Sequence, residues 1–205
     1  MRTLIVLAAL CAALPAQAAD HELSLEMGSL AVRDPAWNTF SSADAMTTLG
    51  LRAGYRVHDR VAVIGSYHHT RTGSDVFDDD GEGLLARAAF FGNEFTLGAK
   101  ADVSIKDFML PYVTLNGVLL HSDARFDDAP NDDDNAGQIK ETALSGGFRG
   151  MGGLEFRIPR WEPPGFTVGA YLEFGYTYLS PLSFGDLGDM ELGGFTARGG
   201  LGVRY

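Results

Sequence analysis

The sequence predicts an all-β fold, a single eight-stranded antiparallel barrel that crosses a membrane on its strands. Three observations carry this. The first is alternation over long segments. In "FTVGAYLEFGYTY", Phe166, Val168, Ala170, Leu172, Phe174, Tyr176 and Tyr178 share one parity, while Thr167, Gly169, Tyr171, Glu173, Gly175 and Thr177 share the other. Neighbouring strand side chains point to opposite faces, so such a segment has one apolar and one mixed face. A soluble sandwich also alternates, but its strands stop at about five or six residues. A segment of this length, at about 3.3 Å per residue and tilted by about 40°, reaches a bilayer height of roughly 30 Å. The second observation is that aromatic residues collect at segment ends: Tyr176, Tyr178, Phe90, Phe91, Phe108, Tyr112, Trp161, Phe166 and Tyr205. Aromatic girdles mark the two membrane interfaces. The third is that connections alternate between short and long.

The elements follow in order. Glu22 to Val32 points Leu23, Leu25 and Met27 outward, but Leu30 and Val32 have the other parity, which predicts a bulge near Gly28 or a strand that has left the membrane. Ala45 to Val57 is followed, after the tight turn "HDR", by Val61 to Arg71, which is apolar on both faces from Val61 to Ile64. The stretch from Thr72 to Gly92 reads as a long polar connection, within which Leu84 to Phe91 is either a short helix or an extension of the next strand. That strand, Asn93 to Val103, turns through "SIKD" into Phe108 to His121. The long acidic "SDARFDDAPNDDDNAGQIKETA" leads to Leu144 to Ile158, and the proline-rich "PRWEPPG" to Phe166 to Tyr178. A last long connection, "LSPLSFGDLGDME", precedes Leu192 to Tyr205, in which Phe195, Ala197, Leu201, Val203 and Tyr205 alternate with Thr196, Arg198, Gly200, Gly202 and Arg204.

The first residues read differently. Arg2, the apolar run from Leu4 to Leu14 and the triplet Ala16-Gln17-Ala18 form a secretory signal with cleavage expected between Ala18 and Ala19, so residues 1–18 are a signal peptide and residues 19–205 one barrel domain. The apolar run is too short for a membrane-spanning helix, which needs about 20 residues. Cys11 falls within the signal, after Leu10 where lipid attachment wants a small residue, so the mature chain has no cysteine to pair. Removing residues 1–18 takes away one arginine and no acid, moving the formal charge from −11 to −12. That balance excludes nucleic acid as a partner, because phosphate binding needs a basic footprint. The 26 glycines and 13 phenylalanines, without helical stripes, favour strands.

The final strand carries the most specific motif: polar Arg198, then Gly200, hydrophobic Val203 and the terminal aromatic Tyr205. In this the chain resembles the small Gram-negative outer-membrane barrels of the OmpA/OmpX type. The resemblance covers the whole mature sequence as architecture. It implies that Arg198, Gly200, Val203 and Tyr205 form a signal read by the barrel assembly machinery, after which the last strand zips to the first. It also implies a cell outer membrane location with both termini periplasmic, and contact with outer-membrane lipid and lipopolysaccharide.

On the parity assignment Glu22, Glu26, Arg52, Arg56, Glu94, Lys100, Asp102, Arg149, Glu155, Arg157, Glu173, Arg198 and Arg204 face inward. Side chains nearly fill an eight-stranded barrel, so Glu94, Lys100, Arg149, Glu155, Arg157, Glu173 and Arg198 are expected to form a lumenal charge network that plugs it. The competing reading is a narrow small-solute pore, for which small inward residues such as Gly50, Gly54, Gly98, Gly169 and Gly202 leave room. Catalytic arrangements are expected to be absent. In "SYHHT", Ser66 and His68 share a face, loosely similar to outer-membrane lipid A deacylases. There, however, the serine follows the histidine and the pair faces lipid, whereas here the order is reversed and the pair points inward. His121, Ser122 and Asp123 are strand neighbours on opposite faces and form no relay. Both sets read as interfacial polar residues, which leaves a lipid A-modifying enzyme as the remotest alternative. No cofactor motif occurs. Asp132, Asp134 and Gly137 sit at the first, third and sixth places of an EF-hand-like loop whose fifth and twelfth are Ala136 and Ala143, so the bidentate acid is missing. With Asp127, Asp128, Asp78, Asp79 and Asp80 they are either a site sharing Ca²⁺ or Mg²⁺ with lipopolysaccharide or, as preferred, a solvated tip. The expected role is a non-enzymatic barrel serving membrane integrity or surface-loop interactions.

Overall fold

A computed structural model describes residues 21–77, 84–103, 108–128, 138–158, 167–185 and 188–205. The strands are β1 (His21–Ala31), β2 (Ala45–His58), β3 (Val61–Phe77), β4 (Leu84–Asp102), β5 (Met109–Asp128), β6 (Gln138–Arg157), β7 (Thr167–Leu179), the short pair β8 (Leu182–Ser183) and β9 (Asp189–Met190), and β10 (Gly194–Arg204). Eight close a barrel in the order β1-β10-β7-β6-β5-β4-β3-β2, all neighbours antiparallel. The seam is β1 on β10, running from Glu22↔Arg204 to Leu30↔Thr196. It is locked at its end by reciprocal backbone bonds between His21 and Tyr205 of 2.9 and 3.0 Å. Closure leaves no open sheet edge inside the bilayer, where an unpaired N–H costs several kcal/mol, roughly, by lacking water.

Followed strand by strand from Leu144 of β6 through His121, Asn93, His69, Leu49, Met27, Gly199 and Leu172, the register returns to β6 at Leu154, ten residues along. A stagger of that size on eight strands tilts them by about 40°. Leu25, Leu49, Leu97, Leu115, Leu172 and Leu201 are among the exposed apolar residues of the outer wall. A folded chain leaves such a surface uncovered only where something other than water covers it.

Three expectations change. β1 pairs without interruption to both neighbours, so there is no bulge at Gly28. Leu30 keeps the inward parity of Ser24 and Glu26 and is buried because the lumen itself turns apolar at this end. Residues 84–91 extend β4. β3, β4, β5 and β6 continue past the apolar belt as a four-stranded wall, so the long connections are shorter than read, and Asp127 and Asp128 lie in β5. Phe90 and Tyr112 are not girdle residues but are buried inside, because each has inward parity. Phe108, Tyr176, Tyr178 and Tyr205 are exposed as girdle residues should be. The signal peptide, Ala18, Ala19, Trp161, Phe166, Asp78 to Asp80, Asp132, Asp134 and Gly137 lie outside the described residues.

The extended wall exists because its inner face has something to bury. The connection after β1 folds into a 3-10 turn at Pro35–Thr39 that drops Trp37 and Phe40 into the barrel mouth. There they pack edge-on against Phe90, with ring centroids 5.3 and 5.8 Å away. From the opposite side the β8–β9 connection contributes Leu182, Phe184, Met190 and Leu192. The Trp37 indole N–H is satisfied by the carbonyl of Ala43 at 2.9 Å. Asp34 joins the two connections, with one carboxylate oxygen accepting from the Ala36 N–H at 2.9 Å and the other from the Glu191 N–H at 2.6 Å. The result is an apolar lid across the loop end of the lumen.

Candidate functional site: the charged lumen

Below the lid the inward residues become ionic. Parity and register together bring strands from all around the barrel to one level, where Glu26, Glu94 and Glu173 meet Arg52, Arg149 and Arg198, all buried. Glu94 is the hub. Arg149 grips it with both terminal nitrogens at 2.8 and 2.6 Å, and Arg198 donates to it at 2.6 Å. The Arg149 Nε donates to Thr177 Oγ1 at 2.6 Å, which fixes the plane of the fork. Arg52 bridges the other two acids, 2.7 Å from Glu26 and also bonded to Glu173. The hydroxyls of Tyr171 and Tyr112 donate to Glu26 and Glu173, the latter at 3.1 Å. His68 stands between Glu26, 2.6 Å from Nε2, and Glu94, 3.2 Å from Nδ1, with Arg198 Nη1 3.1 Å from Nε2.

A second layer lies toward the termini. Lys100 reaches Glu155 at 2.6 Å and Glu22 at 3.2 Å. Glu155 also takes Arg157 at 2.8 Å, Glu22 takes Arg204 at 3.1 Å, and Arg56 pairs with Asp102 at 2.6 Å. Tyr112 joins the layers, since its ring lies under the Lys100 ammonium, 4.5 Å from the centroid, while its hydroxyl serves Glu173. Beside this layer is a small, partly open hollow bordered by Glu22, Glu155, Tyr171 and Arg204.

The seven residues named for the network are in ion pairs, arranged in two layers. Sequence reasoning placed Glu26 and Arg52 inward without assigning them to the network, and it took His68 for an interfacial residue. The missing signal was register. His68 faces Gly50 across one seam and Glu94 across the other, and a Cβ on Gly50 would come within 2.3 Å of the imidazole. Ser66, which shares its face, bonds to Thr96 at 2.5 Å and not to His68. His121 is exposed while Ser122 is buried inside, so the two point apart.

The residues of the final motif divide by face. Arg198 is committed to Glu94, and Tyr205 is exposed at the seam, its ring 5.5 Å from that of His21. Gly200 is small for a structural reason: a Cβ there would meet the Tyr171 hydroxyl at 2.5 Å and the Leu25 carbonyl at 2.6 Å.

The family described as "Outer membrane protein beta-barrel domain" matches residues 3–205. The chain belongs to that family. Membership places the barrel in the outer membrane and fits the apolar outer wall. Among solved structures, the chain is similar to Neisserial surface protein A, at 14% identity and a TM-score of 0.52, over 92% of this chain and 98% of that one. It is also similar to the attachment invasion locus protein of Yersinia pestis, at 20% identity and a TM-score of 0.49, over 92% and 99%. A third is OprG of Pseudomonas aeruginosa, at 14% identity and a TM-score of 0.48, over 92% and 97%. At these identities the likeness is one of fold. No curated protein matches the chain in sequence.

Proposed function

We propose that the protein is a non-enzymatic outer-membrane barrel that seals its own lumen, contributes to membrane integrity and presents its loop end to the exterior, with both termini periplasmic. The observation that carries this is the central level of the lumen, where three carboxylates and three guanidiniums from opposite walls are bonded to one another at low exposure. Ion pairs of this kind resist separation, because stripping one partner strands a buried charge at about 3–5 kcal/mol. The apolar lid is a second barrier in series, and the hollow beside the terminal layer is a vestibule rather than a path.

Two seals in series make a specific prediction for planar-bilayer recordings. The wild type should show no steady conductance, and neither should Arg198→Ala, because the lid remains. Arg198→Ala combined with Trp37→Ser and Phe40→Ser should conduct. Large stable channels in the wild type would sink the sealed reading and favour a small-solute pore.

The last strand serves assembly as well as closure in this proposal, with Tyr205 as the terminal aromatic of a segment read by the assembly machinery. Deleting Tyr205 should reduce protease-accessible protein on cells several-fold, while the fraction refolding into detergent changes little. Equal losses in both assays would reduce Tyr205 to a seam residue.

A further inference from the structure

Arg71, Phe91 and Arg125 form a cluster on the outer wall, just past the apolar belt. Register places Arg71 directly opposite Phe91, and Arg125 opposite Ala89, the next outward residue along β4. Both guanidiniums turn onto the same ring, their central carbons 5.3 and 4.8 Å from its centroid. Each is attracted to the ring, but two like charges gathered on one side chain repel, and an anion between them removes that repulsion.

The surroundings select the kind of anion. One outward position below stands the row His69, Asn93 and His121, and below it the apolar row Tyr67, Phe95 and Leu119. Lys140 on β6, directly opposite Arg125, is a further exposed cation, whereas the outward residues near this edge on the remaining strands, Ser29, Thr47, Tyr178 and Phe195, are uncharged. Two acids flank Arg125 on its face of β5: Asp123, engaged by the Thr142 hydroxyl at 2.8 Å, and Asp127, set opposite Arg87. The other acids lie farther out, where Asp75 sits 3.4 Å from Arg87. A chain of net charge −11 thus sets a pair of arginines just beyond an apolar row of its outer wall.

We propose that Arg71 and Arg125, held by Phe91, bind the phosphate of an anionic membrane lipid whose acyl chains lie along Phe95, Leu97 and Leu119. A guanidinium suits this task because its planar fork meets phosphate oxygens with two N–H groups and stays charged beside an apolar surface. Which leaflet supplies the lipid rests on the orientation proposed above, but the chemistry of the site does not.

The test uses the mature protein refolded in zwitterionic detergent and titrated with bisphosphorylated lipid A, with bound lipid counted by native mass spectrometry. Wild type should retain lipid A, and phosphatidylcholine should not replace it. Arg71→Gln with Arg125→Gln should weaken retention at least tenfold, while Arg87→Gln should not. Heat-modifiable migration on gels identifies the folded fraction of each variant, to which the count is restricted. Equal retention by the double variant would overturn the proposal. So would displacement of lipid A by millimolar inorganic phosphate, which would make this a site for soluble anions. Surface labelling of Asp75→Cys in intact cells reports orientation separately: labelling only in opened cells would overturn the outward loop end and leave the lipid A result standing.

Discussion

Glu94→Ala should lower the unfolding free energy by about 3–5 kcal/mol, the cost of leaving buried charges without their partner. The size follows from the position of Glu94 as hub. Its carboxylate receives Arg149 through two hydrogen bonds and Arg198 through one, and it lies 3.2 Å from His68, so a single truncation strands several groups at once. Glu94→Gln should cost less, since an amide oxygen still accepts. The comparison is Asp75→Ala on the exposed outer wall, where a change within about 0.5 kcal/mol is expected. Urea midpoints followed by heat-modifiable gel migration separate the three variants. A Glu94→Ala midpoint equal to that of Asp75→Ala would mean that water solvates the lumen and that the network contributes little.

Trp37→Ala should cost a similar amount, about 3–5 kcal/mol, for a different reason. Trp37 is fully buried and forms the contact between the first connection and the interior of the extended wall. Its removal leaves a cavity bordered by Phe40 and Phe90 and frees the Ala43 carbonyl. The loss should be partly local, because the lid packs on the loop end and not on the membrane belt. Limited proteolysis is expected to cut between residues 34 and 44 in the variant while the barrel stays intact. Unchanged resistance together with an unchanged midpoint would show that the lid is not a packed core.

The barrel was legible because its determinants are local. Alternation in Thr167–Leu179 or Gly194–Arg204 is visible within one segment, and parity alone put Glu94, Arg149, Glu173 and Arg198 inside. Two things were not visible, both of them relations between segments. Leu30 and Val32 looked misplaced because parity was judged against lipid, when the relevant surroundings were an apolar interior built by Trp37, Phe184 and Leu192 from two distant connections. His68 looked like one more polar residue until register set it between Glu26 and Glu94. Arg71 and Arg125 showed no pattern at all, since Arg71 closes a segment read as a strand, Arg125 lies in one read as a loop, and they meet only through Phe91 on a third strand.

The central ion pairs also bear on how the chain reaches its folded state. Arg52 and Glu173 are 121 residues apart, Glu94 and Arg198 104, and Glu26 and Tyr171 145. None of these contacts can form within a single hairpin, so each hairpin must fold while its inward charges still have water for a partner. Loop-closure entropy opposes such distant pairings until late, which makes folding slow and places these contacts after the rate-limiting step. Substitutions at Glu26, Glu94 or Arg198 are therefore expected to act mainly on the rate of unfolding, the assembled network working as a kinetic latch that holds a barrel shut once its first and last strands have met.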